Sequence, residues 1–167
     1  MEKIHSCNIV LLGGLYGAGK TEFAVKHFQN KSRYRISRSE IRRLLFEMTN
    51  FGKKWMPDNF NEEDDVLVKH VERKIIEHYL QNKRNVLVVN TFTSVESRNR
   101  FVKIAKDMGK TVGIIFLDIP VNNCLKNNEG KPLGVPAYIV QKLSNKKVLP
   151  SRNEGFSEVI IITNPEA

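Results

Sequence analysis

Gly14-Leu15-Tyr16-Gly17-Ala18-Gly19-Lys20-Thr21 satisfies G-x-x-x-x-G-K-[ST] at every fixed position. The apolar run Ile9-Val10-Leu11-Leu12 precedes it and a helix-compatible stretch over 22–29 follows, so the motif stands between a strand and a helix. Glycines let successive backbone N–H groups turn onto phosphate oxygens, and the helix N-terminus adds partial positive charge. Gly14, Gly17, Ala18 and Gly19 therefore read as a phosphate cradle, Lys20 as the cation for the β- and γ-phosphates, and Thr21 as the hydroxyl for Mg²⁺. A glycine-rich turn that binds nothing would not need this full context.

Outward from the loop, hydrophobic periodicity predicts strands over 8–13, 33–36, 85–89, 111–118 and 158–163. Helices are predicted over 20–29, from Ser37 or Ser39 to 48, from the acidic run 62–65 to 82, from 93 to 108, shortly after Pro120, and from Pro136. In the second of these, Ile41, Leu44 and Leu45 form the expected buried side. Thr93-Ser94-Val95-Glu96 reads as a capping box with Thr93 as the cap. Strands that alternate with helices and read as continuous apolar runs predict an α/β fold of three layers, a parallel sheet flanked by helices, in a single domain over 1–167. Ligands bind such folds at the C-terminal ends of the strands.

Composition narrows the class. No apolar run approaches the ~18 residues of a membrane span, residues 1–8 hold no signal-like apolar core, and Cys7 and Cys124 form no metal or redox spacing. A soluble, cytoplasmic protein is expected, with ordinary thiols. The net charge is +9, and between Lys26 and Lys54 nine basic residues face only two acidic ones. This favours an anionic partner. Arg38, Arg42 and Arg43 are displayed near a helix start, and Lys53 and Lys54 share the aperiodic stretch 49–60 with Phe51, Trp55 and Phe60. Such a mixture can stack a base while neutralising a phosphate, or its aromatics can tuck the loop onto the core.

Several further segments, in order and over nearly the whole chain, resemble the polynucleotide 5′-kinase family, meaning the phage enzyme and the kinase half of polynucleotide kinase-phosphatases. Ile36-Ser37-Arg38-Ser39-Glu40-Ile41-Arg42 resembles the family's N-R-D-x-x-R, and Val88-Val89-Asn90-Thr91-Phe92 resembles D-N-T-N, followed by a helix with Arg98. Residues 126–131 resemble the basic lid. Pro150 and Glu154-Gly155-Phe156 resemble the closing P-x-x-x-E-G-F, which phosphate-loop chemistry alone does not demand.

The resemblance implies transfer of the γ-phosphoryl group of ATP or GTP, with Mg²⁺, to a 5′-hydroxyl end of DNA or RNA. Lys20 and Thr21 match fully, Lys126 and Lys131 replace the lid arginines, and Arg42 falls on the arginine that holds the acceptor's phosphate. Arg38, Arg43, Lys53, Lys54 and Trp55 would border the nucleic acid. Two positions depart from the family. Ser39 stands where an aspartate takes the hydroxyl proton, with Glu40 beside it as a substitute, and Val89 stands where D-N-T-N has its acid. A missing general base removes roughly 10²–10⁴-fold in rate. Hence three readings stand: a polynucleotide kinase with a weakened or rearranged site, a nucleotide- and nucleic-acid-binding protein without turnover, and a kinase of a small-molecule hydroxyl.

Overall fold

The computed structural model describes residues 1–164. A helical turn α1 (Glu2–His5) leads into β1 (Ile9–Gly14), the phosphate-loop motif and α2 (Lys20–Phe28). Next come β2 (Arg33–Ser37), α3 (Arg38–Thr49), a 3-10 turn at Pro57–Asn59 and α4 (Asp65–Gln81). The second half runs β3 (Asn85–Val89), α5 (Val95–Asp107), β4 (Val112–Leu117), α6 (Val121–Asn128), α7 (Ala137–Asn145), a 3-10 turn at Arg152–Glu154 and β5 (Glu158–Ile162).

All five strands are parallel, in the order β2-β3-β1-β4-β5. The side-chain period of two then divides β1 between two cores. Val10 and Leu12 face Phe23, Ala24 and Phe28 of α2 and Ile139 and Val140 of α7. Ile9 and Leu11 face the other layer, with Ile41 of α3, Ile76 of α4 and Phe101 of α5. This is the expected α/β fold of three layers. Because β1 is central, with chain crossing over to β3 on one side and β4 on the other, the loop leaving its C-terminal end opens into the crevice where such sheets take ligands.

The structure corrects several local readings. Leu44 is exposed, because the face of α3 that meets the core carries Ile41 with Leu45 packed beside it. The cap of α5 is Ser94, whose hydroxyl accepts from the Ser97 backbone N–H at 3.1 Å, so the box starts one residue later than read. α4 opens at Asp65, and the acids at 62–64 lie ahead of it. The turns at Glu2–His5 and Pro57–Asn59 are too short for periodicity to reveal.

The closing motif has a structural cause. Arg98 is fully buried and donates two bonds to the Glu154 carboxylate, at 2.7 and 2.8 Å, and others to the Phe92 and Val148 carbonyls, both at 2.8 Å. Glu154 also accepts from the Ser151 backbone N–H at 3.0 Å. One guanidinium therefore ties α5, the end of β3 and the chain before β5 together. Removing one partner strands the other's charge. Arg98→Met should cost about 3–5 kcal/mol in urea unfolding, with Glu154→Gln milder because an amide oxygen still accepts one bond.

Candidate active site

Gly17 and Gly19 both have positive φ, 85° and 86°, which a side chain would strain. At Gly17 space is also closed: a Cβ would stand 2.1 Å from the Cys124 carbonyl oxygen of α6. Gly19 caps α2 without a side-chain bond, so the first amides of a nine-residue helix are left for a ligand. The Lys20 Nζ donates to the Gly14 and Leu15 carbonyls, both at 2.8 Å, and lies 5.6 Å from the Tyr16 ring centroid. Burial lowers the Lys20 pKa from 10.5 to about 8, against smaller raising effects of Cys124 and Glu22. A partly buried cation bonded to two carbonyls beside a cavity is placed to meet an anion.

A cavity of about 530 Å³ opens beside this loop, lined by Lys20, Thr21, Ser37, Ser39, Val89 and the segment 126–134. That segment covers it. Asn127 Nδ2 donates to the Gly17 carbonyl at 3.1 Å, and Lys131 pairs with Glu22 at 2.8 Å, which holds the Glu22 carboxyl below its usual pKa. Buried Asn128 donates to the Val135 carbonyl at 2.7 Å and accepts from its N–H at 3.1 Å, closing 129–134 into a loop. Lys126 and Lys131 thus reach the cavity. Cys7 and Cys124 are buried free thiols whose pKa values burial raises, as ordinary thiols would be.

Tyr16 separates this cavity from a second one of about 350 Å³, bordered by Arg42, Phe60, Asp65, Lys69, Asn90 and Thr91. Arg42 is buried in its wall. It donates from Nε and Nη2 to Asp65 at 2.9 and 3.1 Å and from Nη1 to the Tyr16 hydroxyl at 3.4 Å, and its guanidinium lies 4.8 Å from the Phe60 ring centroid. Burial opposes its charge, but Tyr16 and Asp65 outweigh burial and raise its pKa.

Other candidates lie apart. Glu40 does not line either cavity and receives two bonds from Arg35, at 2.8 and 3.0 Å, on the surface. Arg38 borders the second cavity but is paired with buried Glu72 at 2.6 and 3.1 Å. Arg43, Lys53 and Lys54 are exposed. Trp55 is a correction: it is buried, edge-on to Phe46 at 5.5 Å, because the 49–60 stretch folds onto α3. Sequence reasoning missed Tyr16, Asp65 and Asn128; Asp65 was hidden among four consecutive acids, and only its pairing across 23 residues distinguishes it.

The donor set fits a nucleoside triphosphate with Mg²⁺. Among the described residues no group of three or more His, Cys, Asp or Glu could hold a metal, and Val89 brings none of the charge of the acid at its position. Mg²⁺ needs few protein ligands when substrate phosphates supply the rest, and Thr21 at the cavity is the residue that would hold it.

The loop motif at the end of β1, the tied segment over it and the parallel sheet together define an α/β domain of the phosphate-loop kind. A family model described as AAA domain matches residues 9–141, and the chain belongs to that family. Comparison with curated proteins gives no match. Similar solved structures include the Pnkp1/Rnl/Hen1 RNA repair complex, at 20% identity and TM-score 0.62 over 83% of this chain and 43% of that one. Shikimate kinase from Acinetobacter baumannii, in complex with shikimate, shares 16% identity and TM-score 0.56 over 98% and 87%. A gluconokinase from Sinorhizobium meliloti 1021 shares 12% and 0.57 over 92% and 81%. The chain spans less than half the length of the first. These identities show the fold alone. Among the described residues no helix is long and apolar enough to cross a membrane.

Two outcomes are expected. Gly17→Ala should abolish nucleotide binding in equilibrium titration, since loop and α6 must separate to admit the methyl group. Lys20 titrates near pH 8 in the free protein and a bound triphosphate favours its charged form, so affinity should fall as pH rises above about 8, with proton uptake on binding. Calorimetry in buffers of different ionisation heat checks this, and Lys20→Met should remove the buffer dependence.

Proposed function

We propose that the chain transfers the γ-phosphoryl group of ATP or GTP to a 5′-hydroxyl end of DNA or RNA. The observation that carries the reading is Arg42, fixed in the wall of a cavity that meets the triphosphate cavity at Tyr16. Its position is the one at which the resemblance to polynucleotide 5′-kinases puts the arginine for the acceptor's phosphate. Exposed Arg43, Lys53 and Lys54 add an electrostatic approach for a nucleic-acid strand.

In this reading Lys20 and the free amides of α2 hold the β- and γ-phosphates, and Lys126 and Lys131 add charge from the lid. Thr21 is the protein ligand of Mg²⁺, which when bound neutralises charge on those phosphates. Ser39 lines the cavity and offers a hydroxyl for positioning, but no charge. Most of the catalysis of such a transfer comes from placement and charge neutralisation.

A second reading, a small-molecule alcohol as acceptor, is favoured by one observation: Arg38 and Arg42 both already carry carboxylate partners, which suits a cavity for a less charged substrate. γ-Labelled ATP and GTP, offered with Mg²⁺ to 5′-hydroxyl oligonucleotides, nucleosides and small polyols, separate the two. Label is expected on oligonucleotide ends, reduced about 10²–10³-fold in Lys20→Ala. Labelling confined to polyols would replace the acceptor, and no labelling of any acceptor would remove the kinase reading.

A further inference from the structure

The two cavities that share Tyr16 are bordered by four carboxylates. Glu22 pairs with Lys131 and Glu62 with Lys142, all four side chains well exposed, and Glu129 is exposed on the lid. Asp65 differs. Its side chain is only 17% exposed, it faces the second cavity, and its partner is Arg42.

The pair is asymmetric. The Arg42 guanidinium is buried, clamped by the Phe60 ring and engaged at three nitrogens, so it cannot swing away without unpacking the cavity wall. Asp65 opens α4 directly after the exposed run 61–64, so its short side chain can change rotamer while the helix stays in place. Both bonds of the bidentate edge of Arg42, from Nε and Nη2, go to this one carboxylate. A phosphate seeking the same planar fork must displace it.

We infer that Arg42 and Asp65 form a latch released by the acceptor: the phosphate of the acceptor's terminal nucleotide takes the Arg42 guanidinium, and the freed Asp65 accepts the proton of the reacting hydroxyl. The inference rests on the polynucleotide reading above. The acceptor O–H bond breaks with its proton going to an Asp65 carboxylate oxygen, the acceptor oxygen bonds to the γ-phosphorus, and the bond from that phosphorus to the nucleoside diphosphate breaks with its electron pair leaving on the diphosphate. While the latch is closed both Asp65 oxygens face the guanidinium, and release lets one of them turn to the incoming hydroxyl. The reaction is therefore confined to hydroxyls carried beside a phosphate, and a bare nucleoside leaves the latch closed. This also accounts for the absence of an acid at position 39.

The test uses Asp65→Asn, with Asp65→Ser as a second variant and denaturant unfolding to verify folding, and a 5′-hydroxyl nucleoside 3′-monophosphate as probe. Without nucleotide, the variant lacking the competing carboxylate should bind the probe about tenfold tighter than wild type, a factor expected when a charge-assisted competitor is removed. A carboxylate that merely holds Arg42 in place predicts weaker binding instead. In turnover, kcat should fall about 10²–10⁴-fold with Asp65→Asn, and Ser39→Asp added to that variant should restore at least about tenfold. Unchanged or weaker probe binding, or a kcat within about threefold of wild type, overturns the latch. Tighter probe binding in a protein whose wild type phosphorylates no acceptor would instead overturn the kinase reading and leave the displacement standing.

Discussion

Two backbones touch at Gly17, where the position of an absent Cβ lies 2.1 Å from the Cys124 carbonyl oxygen. Everything at the donor side follows from that approach. It brings α6 onto the loop, lets Asn127 bond the Gly17 carbonyl, and carries Lys126 and Lys131 to the cavity rim. Because the contact joins two main chains, no rotamer change can loosen it, and the loop and the base of the lid behave as one rigid piece.

A second constraint is the disposal of positive charge. Four of the nine basic residues between Lys26 and Lys54 are committed internally. Arg33 donates to the carbonyls of His5, Cys7, Asn8 and Val86, Arg35 binds Glu40, Arg38 binds Glu72, and Arg42 binds Asp65. Arg33 explains how an edge strand with arginines alternating along it can be stable: the guanidinium serves as a cross-link among strand ends and α1. Charge that composition assigns to a partner is in large part spent on holding α1, α3 and α4 against the sheet.

The fold was legible because its signals are local. The strands around 9–14, 85–89 and 112–117 are runs of apolar residues, and the loop motif names its own strand and helix. Lys20 and Thr21 could be placed at a cavity from the same local motif, whereas Lys126 and Lys131 were placed there by the family resemblance. The second cavity was not legible, since its meaning lies in pairings distant in sequence, Arg42 with Asp65 and Arg38 with Glu72. Glu40 looked available as an acid next to Ser39, yet residues adjacent on a helix point about 100° apart, and Arg35 takes it on the outer side. Trp55 carried a composition signal for stacking that the folding of 49–60 onto Phe46 cancelled.

The two bonds between Asn128 and Val135 give the lid an unusual mechanical character. With its ends tied, segment 129–134 cannot peel away residue by residue; it tilts as a ring about its root. What fastens the ring's outer edge to the nucleotide-facing helix is the exposed Lys131–Glu22 pair, and such contacts weaken as dissolved ions screen them. Ionic strength therefore slackens the outer edge of this flap while leaving its tied root, made of bonds between neutral amides, untouched.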